Sequence, residues 1–331
     1  MAYTPTTAPP TVRIDLSAPL QFVINAASGQ HEPATTCLVI EEALRLAGRT
    51  SKLWLANSPD QLPLLAQQAA ATALAQHTAV VAVGGDGTLN AVAQAATRLG
   101  CAMGVVPQGT FNYFARTHGI AIDPVQALQI LLTCEPQAVQ VGLVNDRAFL
   151  VNASLGLYPE LLQDREAFKT RFGRHRIVAF VSALVTLLGA HRLLRLRIED
   201  TTGDHIISTP TLFVGNNRLQ LEQVGLAQAS ALDQGCLAAV MLQPIGSLAM
   251  LWLLLRGSFG TLGETDRVKS FPFHRMLVKP RLGWNRLRVK LAFDGEVSWM
   301  RPPLEFKVSP TPLYLIKPAT ADGRTGQADP S

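Results

Sequence analysis

A chain of 331 residues is long enough for a full hydrophobic core and, on size alone, for two domains. Apolar residues make up 48% and charged residues 16%, which excludes an intrinsically disordered chain. The net charge of +5 fits anionic membrane surfaces or phosphorylated substrates but is too mild to argue for nucleic acid, and the 6% aromatic content offers no base-stacking platform.

The first 18 residues are polar and proline-rich, without the basic start and apolar centre of a signal peptide, and read as a disordered leader. Residues 20–29 read as a strand entering a small-residue loop, 37–47 as an amphipathic helix and 51–56 as a short strand. An alanine-rich helix follows over 58–76, with Ser58 as its N-cap and Pro59 at its first helical position. The Val-rich run from Thr78 is the right length for a strand buried on both faces. It breaks on Gly84, Gly85 and Gly87 and resumes at helical spacing through Leu89, Val92, Ala93 and Ala96. A strand, a glycine loop and a helix aim backbone N–H groups and a helix N-terminus at an anion.

Asp86 within that loop is the informative residue. A carboxylate there repels a phosphate by something like ~4 kcal/mol at contact distance in a partly screened site. Such a residue belongs there if it holds a metal ion or takes a proton from an attacking hydroxyl; otherwise the segment is an ordinary Gly-Asp-Gly turn. No Gly-Lys-Ser/Thr follows, so the loop is not a Walker A motif.

A strand over 102–106 leads into a second polar loop, 107–116. Strand–helix alternation to about residue 135 predicts a parallel sheet whose ligands gather at the carboxyl ends of its strands. Beyond Pro136, short β-type runs at 139–143, 148–153, 193–199, 211–215, 236–242 and 287–293 predict a sandwich or curved sheet. Between them, residues 165–197 carry an apolar centre flanked by eight arginines and lysines, a pattern of membrane-surface helices and equally of a solvated basic cap. The apolar stretches 177–190 and 241–255 are too short to span a bilayer. The four scattered cysteines, Cys37, Cys101, Cys134 and Cys236, make no disulfide frame or zinc site and fit a cytoplasmic protein.

Gly84-Gly85-Asp86-Gly87-Thr88-Leu89-Asn90 resembles the Gly-Gly-Asp-Gly-Thr signature of the diacylglycerol kinase catalytic-domain family, which includes bacterial lipid kinases and sphingosine kinases. Asn25, Ser28 and Gly29 are similar to its opening Asn-Pro-x-Ser-Gly, with Ala26 in place of proline. Residues 107–116 resemble its Pro-x-Gly-Thr-x-Asn-Asp-Phe-Ala-Arg, with Tyr113 in place of aspartate. Residues 151–156 resemble its segment at the entry to the second domain, and Asp294-Gly295-Glu296 its Asp-Gly-Glu. Residues 229–237 resemble its Ala-x-x-x-Asp-Asp-Gly-x-Leu turn, where acidic residues bind a structural magnesium ion in some members. Here Asp233 is kept and Gln234 replaces the second acid, so a metal site and a plain turn both remain open.

The resemblance implies an α/β N-terminal domain with a parallel sheet over 19–136, a mainly β, sandwich-like lipid domain over 137–317, and a disordered tail over 318–331. It implies magnesium-assisted transfer of the γ-phosphoryl group of ATP to the hydroxyl of a diacylglycerol-like or sphingoid lipid, in the cleft between domains. Asn25, Ser28, Gly29, Gly84, Gly85, Asp86, Gly87, Thr88, Leu89, Asn90, Gly109, Thr110 and Asn112 would hold the nucleotide. Asp86 would organise metal and phosphates, with Asp294 and Glu296 facing the acceptor; as strand residues two apart, these two carboxylates would share a face if the strand ran through Gly295. Peripheral membrane contact is expected, no nucleic acid is, and a homodimer is compatible. A soluble kinase of the NAD-kinase type, or a catalytically weak nucleotide-binding protein, is the alternative.

Overall fold

The most apolar strands lie at the centre of the first sheet. In the computed structural model, which describes residues 12–26, 33–156, 159, 193–200, 203–223, 225–244, 267–280 and 288–319, β3 (Ala79–Gly84) and β4 (Ala102–Pro107) are buried at every position. Strands with both faces covered require that composition. The sheet runs β2 (Ser51–Ala56), β1 (Leu20–Asn25), β3, β4, β18 (Leu313–Ile316), β5 (Pro136–Val139). Its pairings are parallel as far as β18, and β5 closes the edge antiparallel. Around it lie α1 (Pro33–Leu46), α2 (Leu62–Ala75), α3 (Asp86–Leu99), α4 (Tyr113–Thr117) and α5 (Pro124–Thr133).

Helix α2 begins later than expected. A 3₁₀ turn spans Pro59–Gln61, and the Ser58 side chain makes no capping bond. Pro63 lacks the N–H that a helix already running from Pro59 would need, so α2 starts at Leu62 with Pro63 in its first turn.

The rest of the chain forms two antiparallel six-stranded sheets. One runs β10 (Gly203–Thr209), β9 (Leu194–Asp200), β14 (Arg275–Pro280), β17 (Leu304–Val308), β6 (Gly142–Val144), β7 (Arg147–Phe149). The other runs β13 (Val268–Phe273), β12 (Leu237–Leu242), β11 (Thr211–Gly215), β8 (Asn152–Gly156), β15 (Val289–Phe293), β16 (Glu296–Met300). Phe149, Leu155, Ile198, Val214, Met276 and Phe306 meet in the core they share, as in a sandwich. A short helix, α6 (Arg218–Gln223), and a 3₁₀ segment (Ala227–Gln234) pack on a small cluster with Ala238 and Val240. The expected combination of an α/β unit and a β-rich unit is what forms.

Two predicted strands prove to be two strands each. The run 139–143 divides because β5 stays in the first sheet while β6 enters the second. The run 148–153 divides at Leu150 and Val151, whose N–H groups leave the ladder for a carboxylate described below. The boundary expected at 136/137 also leaves out β18, which comes back from the far end of the chain to sit between β4 and β5. The basic-flanked stretch lies outside the described residues as far as residue 192. Among the described residues no helix is long and apolar enough to cross a membrane.

Candidate active site

The glycine loop is shorter than expected. β3 ends at Gly84, Gly85 is the N-cap, and α3 begins at Asp86, so the first-turn N–H groups open at the carboxyl edge of the sheet. Close packing explains the glycines. A Cβ on Gly84 would fall 2.6 Å from Thr88 Oγ1, and one on Gly109 would fall 3.2 Å from Gly85 Cα, so the two loops touch backbone to backbone. Gln108 N–H donates to Gly84 O (2.8 Å), tying the loops together. Asn25 reaches Thr88 Oγ1 at 3.4 Å, which brings the end of β1 to the same place. Ser28 and Gly29 lie outside the described residues.

Asp86 sits in the first turn with one carboxylate oxygen, Oδ1, buried and without a hydrogen-bond partner. Burial, and next the nearby Asp294 carboxylate, push its pKa up to about 6. A buried carboxylate oxygen with no donor is rare in a folded protein and is the kind of atom a cation or a proton completes.

Three residues expected to bind nucleotide are committed elsewhere. Leu89 is buried in the core and its N–H bonds Gly85 O, so it offers a ligand nothing. Asn112, in a left-handed conformation, accepts from Gly109 N (2.9 Å) and donates to Gly109 O (2.8 Å), which fixes the second loop. Asn90 donates to Ala148 O (3.0 Å) and Asp294 Oδ2 (2.7 Å), joining α3 to the second unit. Thr110 stays exposed on the loop.

Asp294 and Glu296 do not share a face. Asp294 and Gly295 form the turn between β15 and β16, both at positive φ (46° and 91°), so the alternation stops there. The Asp294 carboxylate points inward, where Oδ1 accepts from Val151 N (2.8 Å) and Asn152 N (3.0 Å). Its Oδ2 accepts from Leu150 N (2.8 Å) and Asn90. Burial raises its pKa, opposed by these four donors. With every lone pair engaged it is a structural clamp, and the expectation that it meets an acceptor is corrected.

Glu296 does reach the site. It is exposed, and its Oε1 lies so close to Gly87 that a Cβ there would overlap it. Its Oε2 is 4.0 Å from Arg147 Nη2. Arg147, which sequence reasoning passed over, stands on β7 with Nη1 donating to Ser298 Oγ (2.8 Å) and its guanidinium carbon 4.7 Å from the Phe293 ring. An arginine in a short β-run gives no signal of its own; only the pairing of distant strands brings it beside Glu296.

Asp233 does not fit a structural magnesium ion. Arg218 Nη1 lies 2.6 Å from its Oδ2 and Arg218 Nε 2.6 Å from Glu222 Oε1, so a side-chain cation already stands between α6 and the 3₁₀ segment. Gln234 supplies no second charge, and among the described residues no three acidic, cysteine or histidine side chains cluster as metal ligands. Chelation by EDTA without nucleotide is therefore expected to leave the melting temperature unchanged. A fall of several degrees, restored by magnesium, would contradict this.

The family model described as "Diacylglycerol kinase catalytic domain" matches residues 19–144. A probable lipid kinase YegS-like protein of Pseudomonas syringae pv. syringae is 28% identical over 264 residues, 77% of this chain and 81% of that one. Its counterpart in Pseudomonas aeruginosa is 28% identical over 256 residues, 74% and 78% of the two chains. In fold, the crystal structure of a diacylglycerol kinase from Bacillus anthracis str. Sterne superposes with a TM-score of 0.64 at 15% identity, over 91% of this chain and 97% of that one. With the glycine loops, Asp86 and Glu296 brought together, residues 19–144 match the diacylglycerol kinase catalytic domain, and about three quarters of the chain is similar to probable lipid kinases.

Proposed function

We propose that the protein is a lipid kinase that transfers the γ-phosphoryl group of ATP to a lipid hydroxyl, diacylglycerol-like or sphingoid. The observation that carries this reading is the unpartnered, buried Oδ1 of Asp86 in the first turn of α3, with Glu296 of the other unit against the same turn. The first-turn N–H groups of α3 and the exposed Thr110 hydroxyl suit ATP phosphates. The Asp86 carboxylate suits the magnesium ion that accompanies ATP and supplies charge neutralisation. Glu296 meets the acceptor hydroxyl and takes its proton; little base strength is needed, because a loose transition state releases that proton late.

The acceptor resides in a bilayer, and the predominantly basic charge of residues 165–197, eight arginines and lysines against Glu166, supports peripheral, cytoplasmic attachment. The test is phosphorylation of extracted lipids with ATP, presented in anionic vesicles at low and high salt beside a soluble arm with NAD. Lipid phosphorylation that weakens with salt is expected. Phosphorylation of NAD alone would replace this reading with a soluble kinase, and no transfer to either would leave a nucleotide-binding protein.

Within this reading, Glu296→Gln is expected to lower turnover at least tenfold with ATP affinity unchanged, measured by steady-state kinetics and calorimetry. Gly87→Ala is expected to lower turnover as well, because the added methyl displaces the flexible, exposed Glu296 side chain at little cost to the fold. Normal turnover in both would remove Glu296 from the chemistry.

A further inference from the structure

We infer that Arg147 is a catalytic residue, an arginine supplied from the second unit that holds the γ-phosphoryl group while it moves between ATP and the acceptor. The inference rests on the kinase reading above.

Three observations carry it. The guanidinium is already oriented, by Ser298 Oγ at Nη1 and by the Phe293 ring beneath its carbon. Phe293 is itself buried in the sandwich core, so that platform is held by packing on all sides. The remaining edge, Nη2, faces Glu296 at 4.0 Å, well beyond the ~2.7–2.9 Å of a charge-assisted hydrogen bond, so its strongest bond is not yet made. Glu296 in turn lies against Gly87 in the first turn of α3. The guanidinium therefore stands one carboxylate away from the helix N-terminus at which phosphates gather.

The chemistry asks for a cation there. Phosphoryl transfer spreads negative charge over three equatorial oxygens, and a planar, permanently charged guanidinium that meets them only in flight stabilises the transition state above the ground state. The acceptor oxygen forms its bond to phosphorus while the bond from phosphorus to the β-phosphate oxygen breaks. The electron pair of that bond leaves with ADP, and the hydroxyl proton passes to Glu296. Arg147 neither gains nor loses a proton. It also offsets the repulsion that Glu296 would otherwise exert on the moving group.

The experiment compares wild type, Arg147→Gln and Arg147→Lys by turnover, by KM for ATP and by calorimetric binding of ADP with and without fluoroaluminate, a mimic of the transferring group. Arg147 is partly exposed and its partner Ser298 is left near solvent, so the variants are expected to fold, which thermal melts verify. In Arg147→Gln, turnover is expected to fall about 100-fold with KM for ATP and ADP affinity within twofold of wild type, and the tightening of ADP by fluoroaluminate to be lost. Arg147→Lys is expected to recover part of both. Turnover within threefold of wild type in a folded Arg147→Gln protein, or a loss shared equally by ADP binding, overturns the inference while leaving the kinase reading intact. If the wild-type protein transfers no phosphate to lipid, the kinase reading fails and the inference with it.

Discussion

Replacing Asp86 with asparagine is expected to make the protein more stable and nearly inactive. Burial raises the folded-state pKa of Asp86 from an ordinary 3.8 to about 6. The folded state therefore binds the proton more tightly than the unfolded state does, and stability falls as pH rises through that window. At pH 7 to 8 the whole cost is present, up to about 3 kcal/mol. Asparagine carries no charge and escapes it, losing only the favourable placement of an anion at a helix start, about 0.3–1 kcal/mol. A net gain of roughly 1–3 kcal/mol at neutral pH, vanishing below pH 4, should appear in denaturant titrations. Turnover should drop at least 100-fold, and in the wild type it should decline below about pH 6 as the carboxylate takes up its proton. On the proposed function, raising the magnesium concentration should move that decline to lower pH, because proton and cation would compete for one oxygen. A variant with normal turnover, or one less stable at pH 7 than at pH 4 relative to wild type, would show Asp86 to be a turn residue.

Asp294 should behave in the opposite way. Asp294→Ala would strand three backbone N–H groups and the Asn90 amide in the interior, at about 1–3 kcal/mol each for an unmet buried donor, so a loss above about 4 kcal/mol is expected. Asp294→Asn separates charge from backbone. Asparagine accepts the left-handed conformation this turn requires, but its NH₂ group faces two donors whichever way it turns. It should cost about 2–4 kcal/mol and depress turnover through α3, which Asn90 ties to this carboxylate. Thermal melts and activity measured well below the melting temperature distinguish the two effects. A variant that melts normally and fails only in turnover would restore Asp294 as a group that meets the acceptor.

The first half of the fold was legible because its central strands β1, β3 and β4 are buried on both faces, and such runs as Ala-Val-Val-Ala-Val have few other uses. The strands β10, β13, β14, β16 and β17 were not, since each mixes exposed or half-buried polar residues with short apolar runs and takes its identity from its partners. At the site, residue types pointed to loops that the fold does bring together, but they could not say which polar groups the fold spends on itself. Asn90 and Asn112 look like ligands in the sequence and are cross-braces in the protein. Asp-Gly is a hairpin signal between alternating strands, and residues 294 and 295 form such a turn, so the two carboxylates expected on a single face are parted.

The position of β18 bears on how this protein can be made. Until Leu313–Ile316 has been synthesised, β4 has a bare edge of unpaired N–H and C=O groups in one of the most apolar strands of the chain, and β5 has nothing to pair with. A nascent or truncated chain carrying only the first half presents an aggregation-prone edge to its neighbours. The N-terminal half, produced alone, should therefore be insoluble, and a detached peptide spanning β18 should rescue it by adding the missing strand.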